Sequence, residues 1–169
     1  IKVLWPRYQH LMHGDGLSVQ KVEDVFELSE QLLQATDALT GHAADLGGLP
    51  AAHYVNMAGR NRMLSQRIGK FFLFREWPSL DEKIAVLTPP SCHEFESNLQ
   101  TLRKTANIPP EVAAQLRVVA SQWQKFIQTL CPDLSHAART QHARLVMAEG
   151  ERLLRGVDTT VKLFERLTK

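Results

Sequence analysis

The stretch YVNMAGRNRMLSQRIGKFFLF, Tyr54–Phe74, sets Arg60, Arg62, Arg67 and Lys70 among Met57, Met63, Leu64, Ile68 and Phe71, with Gly59 and Gly69 where a plain helix prefers alanine. Plotted at about 100° per residue, Met57, Leu64, Ile68, Phe71 and Phe72 fall on one stripe, the core face of an amphipathic helix. Ala58, Gly59, Arg62, Ser65, Gln66 and Gly69 form a second stripe of small residues with Arg62 in its middle, and Arg60, Arg67 and Lys70 lie to the side. Glycine inside a helix costs about 0.5–1 kcal/mol relative to alanine, so two on one stripe predict the close approach of another backbone.

The same periodicity runs outward in both directions, with no alternating strand pattern. Residues 1–13 read as a helix end perturbed by Pro6, and 18–46 as a long helix carrying Val22, Val25, Phe26, Leu28, Leu32, Leu33 and Leu39. GGLP at 47–50 stops that helix and starts the next, which runs from about Ala51 to Glu76 before Pro78. A short turn near 80–87 is expected to end at TPPS, and Ser91 with Glu94 reads as a capping box opening a helix to about Ala106. Helices at 110–130 and about 135–168 follow, separated by NIPPE and CPDLS. Long antiparallel helices with short connections predict an all-α, up-and-down bundle of the four-helix type.

A self-comparison adds a second layer. FELSEQLLQATDAL (26–39) overlays MAEGERLLRGVDTT (147–160), matching Glu30 with Glu151, Leu32 and Leu33 with Leu153 and Leu154, and Asp37 with Asp158. Trp5 and Tyr8 echo Trp123 and Phe126 upstream. The chain therefore reads as a tandem repeat, with 1–46 the back half of a first copy and 51–169 a complete second copy. The chain opens at Ile1, in the middle of a pattern, and reads as a fragment of a longer precursor.

At 169 residues the length suits one domain with its own core. A formal charge of +2 gives no electrostatic case for nucleic acid, and Glu76, Asp81 and Glu82 follow the arginine cluster closely. Intra-bundle ion pairs with residues such as Glu30 or Glu151 are the expected use of Arg60, Arg67 and Lys70. No run is long enough to span a membrane. Cys92 and Cys131, each next to a predicted helix boundary, show no metal or redox spacing; one disulfide between them is possible, and two unpaired thiols are the expectation. No Glu-x-x-His accompanies the seven histidines, so no metal or other cofactor is expected. No phosphate loop, nucleophile elbow or paired carboxylates point to an enzyme. Trp5, Trp77 and Trp123 are expected as core or bundle-end anchors.

Arg62 suggests a function. On a two-fold axis it would face its own counterpart, and two guanidinium groups about 4 Å apart repel by roughly 4 kcal/mol at an effective dielectric of 20 unless an anion lies between them. The planar, forked guanidinium suits a planar oxyanion. NMAGRNRMLSQRIGK closely resembles the signature helix of PilJ-type sensory domains, the N-terminal domain of type IV pili methyl-accepting chemotaxis transducers, and more distantly the periplasmic nitrate/nitrite sensor domain of NarX and NarQ kinases. The resemblance implies a four-helix bundle that dimerises through this helix and captures nitrate or nitrite between matching arginines, in the periplasm. The arginine three residues after the glycine of the AG pair is Arg62 here, and Gly59 matches that glycine. The candidate ligand set is Arg62, Gly59, Ala58, Gln66 and Arg60, with a homodimer or a sister repeat supplying the second arginine. The competing expectation is a dimerisation or protein-interaction bundle with no small ligand.

Overall fold

Apolar residues recurring every three or four positions fix each helix and aim its buried face. The structure, a computed structural model, describes residues 1–13, 16, 18–47, 50–130 and 136–167, without the side chains of 42–47, 50, 51, 136, 137, 139 and 140. Six helices follow in order: α1 (Leu4–His13), α2 (Val19–Gly47), α3 (Pro50–Phe74), α4 (Asp81–Lys104), α5 (Pro110–Thr129) and α6 (His136–Arg166), with a 3-10 turn at Pro78–Leu80. The described residues contain no strand, as an all-α bundle requires.

Helix α5 shows the pattern most cleanly. Val112, Leu116, Val119, Trp123 and Phe126 are all buried at alternating steps of four and three, the spacing of a helix seam. Opposite them lie Leu64 and Ile68 of α3, Phe95, Leu99 and Leu102 of α4, and Val146, Leu153, Val157 and Phe164 of α6. Phe95 stacks on Trp123 with centroids 4.0 Å apart, and Tyr54 packs on Phe164 at 5.8 Å. Helix α3 packs on α4 and α6, and α5 packs on the same two, closing a ring of four. Tyr54 with Phe164 and Arg62 with Asp158 run in opposite directions along α3 and α6, so these neighbours are antiparallel.

Three glycines of this ring face side chains of α5, most tightly Gly156, where an added Cβ would collide with the Gln122 amide. A Cβ on Gly69 would lie 3.9 Å from the Phe126 ring, and one on Gly150 only 3.4 Å from it. The close backbone approach expected along the Gly59 and Gly69 stripe is not made inside the chain: a Cβ on Gly59 would meet nothing within 4 Å, and one on Gly69 would meet only a side-chain ring of α5 at ordinary contact distance.

The expected break at TPPS does not occur. Helix α4 runs through Pro89 and Pro90, and Ser91 is a buried mid-helix residue rather than a cap. Each proline removes one backbone donor, freeing the carbonyls of Ala85 and Val86. Those residues and both prolines lie on the exposed side of α4, where water can take the freed acceptors. On the covered side Ser91 Oγ donates to the Leu87 carbonyl and Thr88 Oγ1 to that of Ile84. Helix α4 ends where Asn107 takes a left-handed turn, at φ 60°, ahead of Pro109 and Pro110.

Helices α1 and α2 lie outside the ring. Ser18 caps α2 by accepting the Lys21 N–H, and Val22, Phe26 and Phe71 join Leu80 and Ile84 in a second apolar cluster at the bundle end. Trp77 packs there as expected and Trp123 is in the main core, but Trp5 is half exposed on α1, stacked on Tyr8. With few neighbours, α1 leaves this ring with nothing to pack beneath.

Replacing Pro90 by alanine restores a donor to the Val86 carbonyl inside a continuous helix. It is expected to raise the unfolding free energy by about 2 kcal/mol in urea denaturation. A neutral or destabilising result would mean that the chain turns at this point.

Candidate functional site

Helix α3 is touched on three sides, by α4 and α6 within the ring and by α2 outside it. A cation on such a helix either keeps to the remaining strip of solvent or meets a carboxylate on a neighbour. All four meet a carboxylate, Arg62 only at 3.5 Å and with most of its side chain exposed, the other three closely. Arg67 donates Nη2 to Glu30 at 2.5 Å and Nη1 to Ser91 Oγ at 3.3 Å, and Lys70 reaches Glu30 at 2.6 Å and Ser29 Oγ at 2.8 Å. Arg60 grips Glu94 through Nε, at 2.5 Å, and Nη2, and pairs with Asp37 through Nη1. The expected pairing with Glu30 is thus made, whereas Glu151 pairs with Arg155 of its own helix.

Burial and charge act against each other in this cluster. Burial alone would push Glu30 up, but hydrogen bonds and charge from Arg67 and Lys70 outweigh it and hold the carboxylate below its usual range. Burial pushes Lys70 below the usual ammonium range, and Glu30 pulls it only part of the way back. Glu94, and after it Asp37, hold the Arg60 guanidinium protonated against its own burial.

The contacts share one register. Phe26 on Phe71, Glu30 on Arg67 and Asp37 on Arg60 each descend α2 as they climb α3. Glu30 and Asp37 stand seven residues apart, as do Arg60 and Arg67, about 10.5 Å along each helix. Two bridges at that spacing lock both the direction and the axial position of α2.

The five candidate ligand residues separate. Arg62, Gly59 and Gln66 share the face left open between α2 and α6. Arg62 is 58% exposed, with Nε 3.5 Å from Asp158, which Lys162 also holds at 2.7 Å. Gln66 is exposed beside it. A Cβ on Gly59 would meet nothing within 4 Å, so the backbone there is open to approach. Ala58 is buried in the main core, and Arg60 turns to the opposite flank. The partners Asp37 and Glu94 were hidden from sequence reasoning: one stood out only as a repeat match, the other only as half of a capping box. Cys92 is a half-buried free thiol whose pKa burial pushes up, and Cys131 lies outside the described residues. Among the described residues no three His, Cys, Asp or Glu side chains gather as a metal site.

Residues 48–153 match the family model PilJ, the type IV pili methyl-accepting chemotaxis transducer N-terminal domain. The chain belongs to this family. No curated protein and no solved structure gives a significant match. The PilJ segment takes in α3, α4, α5 and the first half of α6, so the cation-bearing helix stands at its head. As a PilJ domain the chain is a sensory module of chemotaxis signalling. No described helix is long and apolar enough to cross a membrane.

Glu30→Ala leaves Arg67 and Lys70 buried without their carboxylate, a change expected to cost about 3–5 kcal/mol. Hydrogen exchange should show α2 opening while protection in α5 persists. Because the folded pKa of Glu30 is depressed, its contribution is complete above the ordinary carboxylate range and is lost as pH falls through the folded value. Acid titration should therefore release α2 from the bundle, and Glu30→Gln should flatten that step.

Proposed function

We propose that this PilJ domain senses a small planar oxyanion, nitrate or nitrite, held by Arg62 where the α3 helices of two copies face each other. The carrying observation is the division of the cations: Arg60, Arg67 and Lys70 are committed to carboxylates, while Arg62 stands on the open face beside the bare backbone of Gly59. An exposed ion pair such as Arg62 with Asp158 adds little stability, and Lys162 remains to hold Asp158 if the guanidinium turns away. An anion between two such guanidinium groups relieves their repulsion and favours one spacing of the helices over another, a population shift that can be passed along them.

The same reading covers organisation. Residues 1–46 are the last two helices of one copy, packed on a complete copy at 51–169. In support, the matched helices α2 and α6 flank α3 and use the matched aspartates on neighbouring arginines, Asp37 on Arg60 and Asp158 on Arg62. The setting that goes with the nitrate-sensor resemblance is the periplasm.

Calorimetric titration with nitrate, nitrite and chloride tests the ligand. Saturable binding of nitrate or nitrite, weakened roughly tenfold or more in Arg62→Gln, is the expected result. Equal binding by Arg62→Gln removes the site. Sedimentation with and without nitrate tests the assembly: a dimer that ignores nitrate would leave a protein-interaction bundle in place of an anion sensor.

A further inference from the structure

Helix α6 is held from two sides where it passes Arg62. On one flank α5 grips it at Gly156, whose carbonyl accepts Gln115 Nε2 at 2.8 Å and Thr160 Oγ1 of its own helix at 3.1 Å. The Gln122 amide lies against the same residue, close enough that an added Cβ would collide with it. Gln122 Oε1 is buried there and has no hydrogen-bond partner among the described residues. A desolvated acceptor of this kind costs stability, which a small displacement of α6 would recover by admitting water. The grip thus opposes movement of α6 through Gln115 and favours it through Gln122.

Two residues on and about 200° round the helix, Asp158 leaves on the opposite flank, toward α3. The contact there is loose by comparison. Asp158 turns Oδ1 to Arg62 Nε at 3.5 Å and Oδ2 to Lys162 Nζ at 2.7 Å, so the nearer cation is the one on its own helix. Lys162, by hydrogen bond and charge, and then Arg62, by charge, hold the carboxyl below its usual range. A carboxylate is itself a flat, delocalised oxyanion, the class of ligand for which a guanidinium fork is shaped. Asp158 therefore stands on Arg62 as an oxyanion ligand would, but at arm's length and with its second oxygen already taken. Displacing it strands no charge, because Lys162 keeps the carboxylate paired.

We infer that Asp158 is a built-in competitor for the Arg62 site: an entering oxyanion displaces this carboxylate, which thereby sets the concentration at which the site fills. The inference rests on the oxyanion reading of Arg62 and adds to it a regulator and a route outward. While Asp158 is on Arg62, α6 is tied to α3 at this level. Once it is displaced that tie is gone, and the unpaired Gln122 oxygen favours a shift of α6 against α5 at Gly156.

Calorimetric titration of the intact chain and two variants with nitrate and nitrite tests the assignment. Asp158→Asn removes the competing charge at nearly constant shape and should tighten binding roughly two- to fivefold, the range an exposed ion pair supports. Loss of a nearby negative charge would by itself favour an anion, so Glu151→Gln serves as the control. It removes an exposed carboxylate of α6 that pairs with Arg155, and its binding should match that of the unmodified chain. Amide exchange at residues 155–160 should be faster in ligand-free Asp158→Asn, and in the unmodified chain with nitrate bound, than in the unmodified chain alone. Binding by Asp158→Asn equal to that of the unmodified chain, equal tightening in Glu151→Gln, or unaltered exchange at 155–160 overturns the competitor and leaves the Arg62 site standing. If neither the unmodified chain nor Asp158→Asn binds nitrate or nitrite, the oxyanion reading itself is overturned, and the competitor with it.

Discussion

The buried carboxylate of Glu30, held between Arg67 and Lys70, is the contact on which the arrangement of this chain turns. Removing three charges from water is costly, and an isolated cation at either position on α3 would not be tolerated under the covering helix. Two basic side chains converging on one carboxylate, with Ser29 and Ser91 satisfying further donors, offset that cost by geometry. Phe26 and Phe71 contribute the apolar floor, and the Lys70 ammonium lies 5.2 Å from the Phe26 ring centre. Apolar contact alone would let α2 slide along α3. The bridge at Glu30 and its repeat at Asp37 leave one position in which both carboxylates find their partners.

That constraint distributes the charge of α3 and thereby defines where chemistry can occur. The cations facing α2 and α4 act as mechanical ties, whereas Arg62, facing α6, is held by one exposed aspartate at 3.5 Å. A ligand that competes for a buried bridge must first uncover it. One that competes for Arg62 displaces only an exposed pair screened by solvent. The helix is therefore fixed along one flank and held only by an exposed pair along the other.

The parts legible in sequence were those in which a residue's neighbours lie within one helical turn. The stripe from Leu64 to Phe71 and the helix at 110–130 are local patterns, and each describes its element correctly. Errors arose where a local pattern has two physical meanings. TPPS followed by Glu94 is the text of a helix start, yet here Ser91 bonds backward to Leu87 and Glu94 reaches across to Arg60, because the prolines sit on the solvent side and break nothing that water cannot mend. Ala58 and Gly59 look alike as small residues, but about 100° of rotation puts the first in the core and leaves the second bare. Trp5 has the aromatic character of an anchor without a neighbouring layer to enter. The bridge partners Asp37 and Glu94 lie more than twenty residues from Arg60, and no spacing rule connects them.

The contrast between Arg60 and Arg62 follows from helix geometry. Two residues apart on a helix means about 200° of rotation, so the two side chains leave α3 on nearly opposite flanks. Helix α4 lies on the Arg60 flank, and its Glu94 gives that guanidinium a second carboxylate beyond the one supplied by Asp37. On the other flank α6 offers Asp158, and no described carboxylate of α4 stands near enough to Arg62 to join it. A guanidinium has five donors arranged to grasp two acceptors at once, and Arg60 shows the arrangement completed within one chain. At Arg62 the fork meets a single carboxylate, that of Asp158, and its remaining donors face solvent.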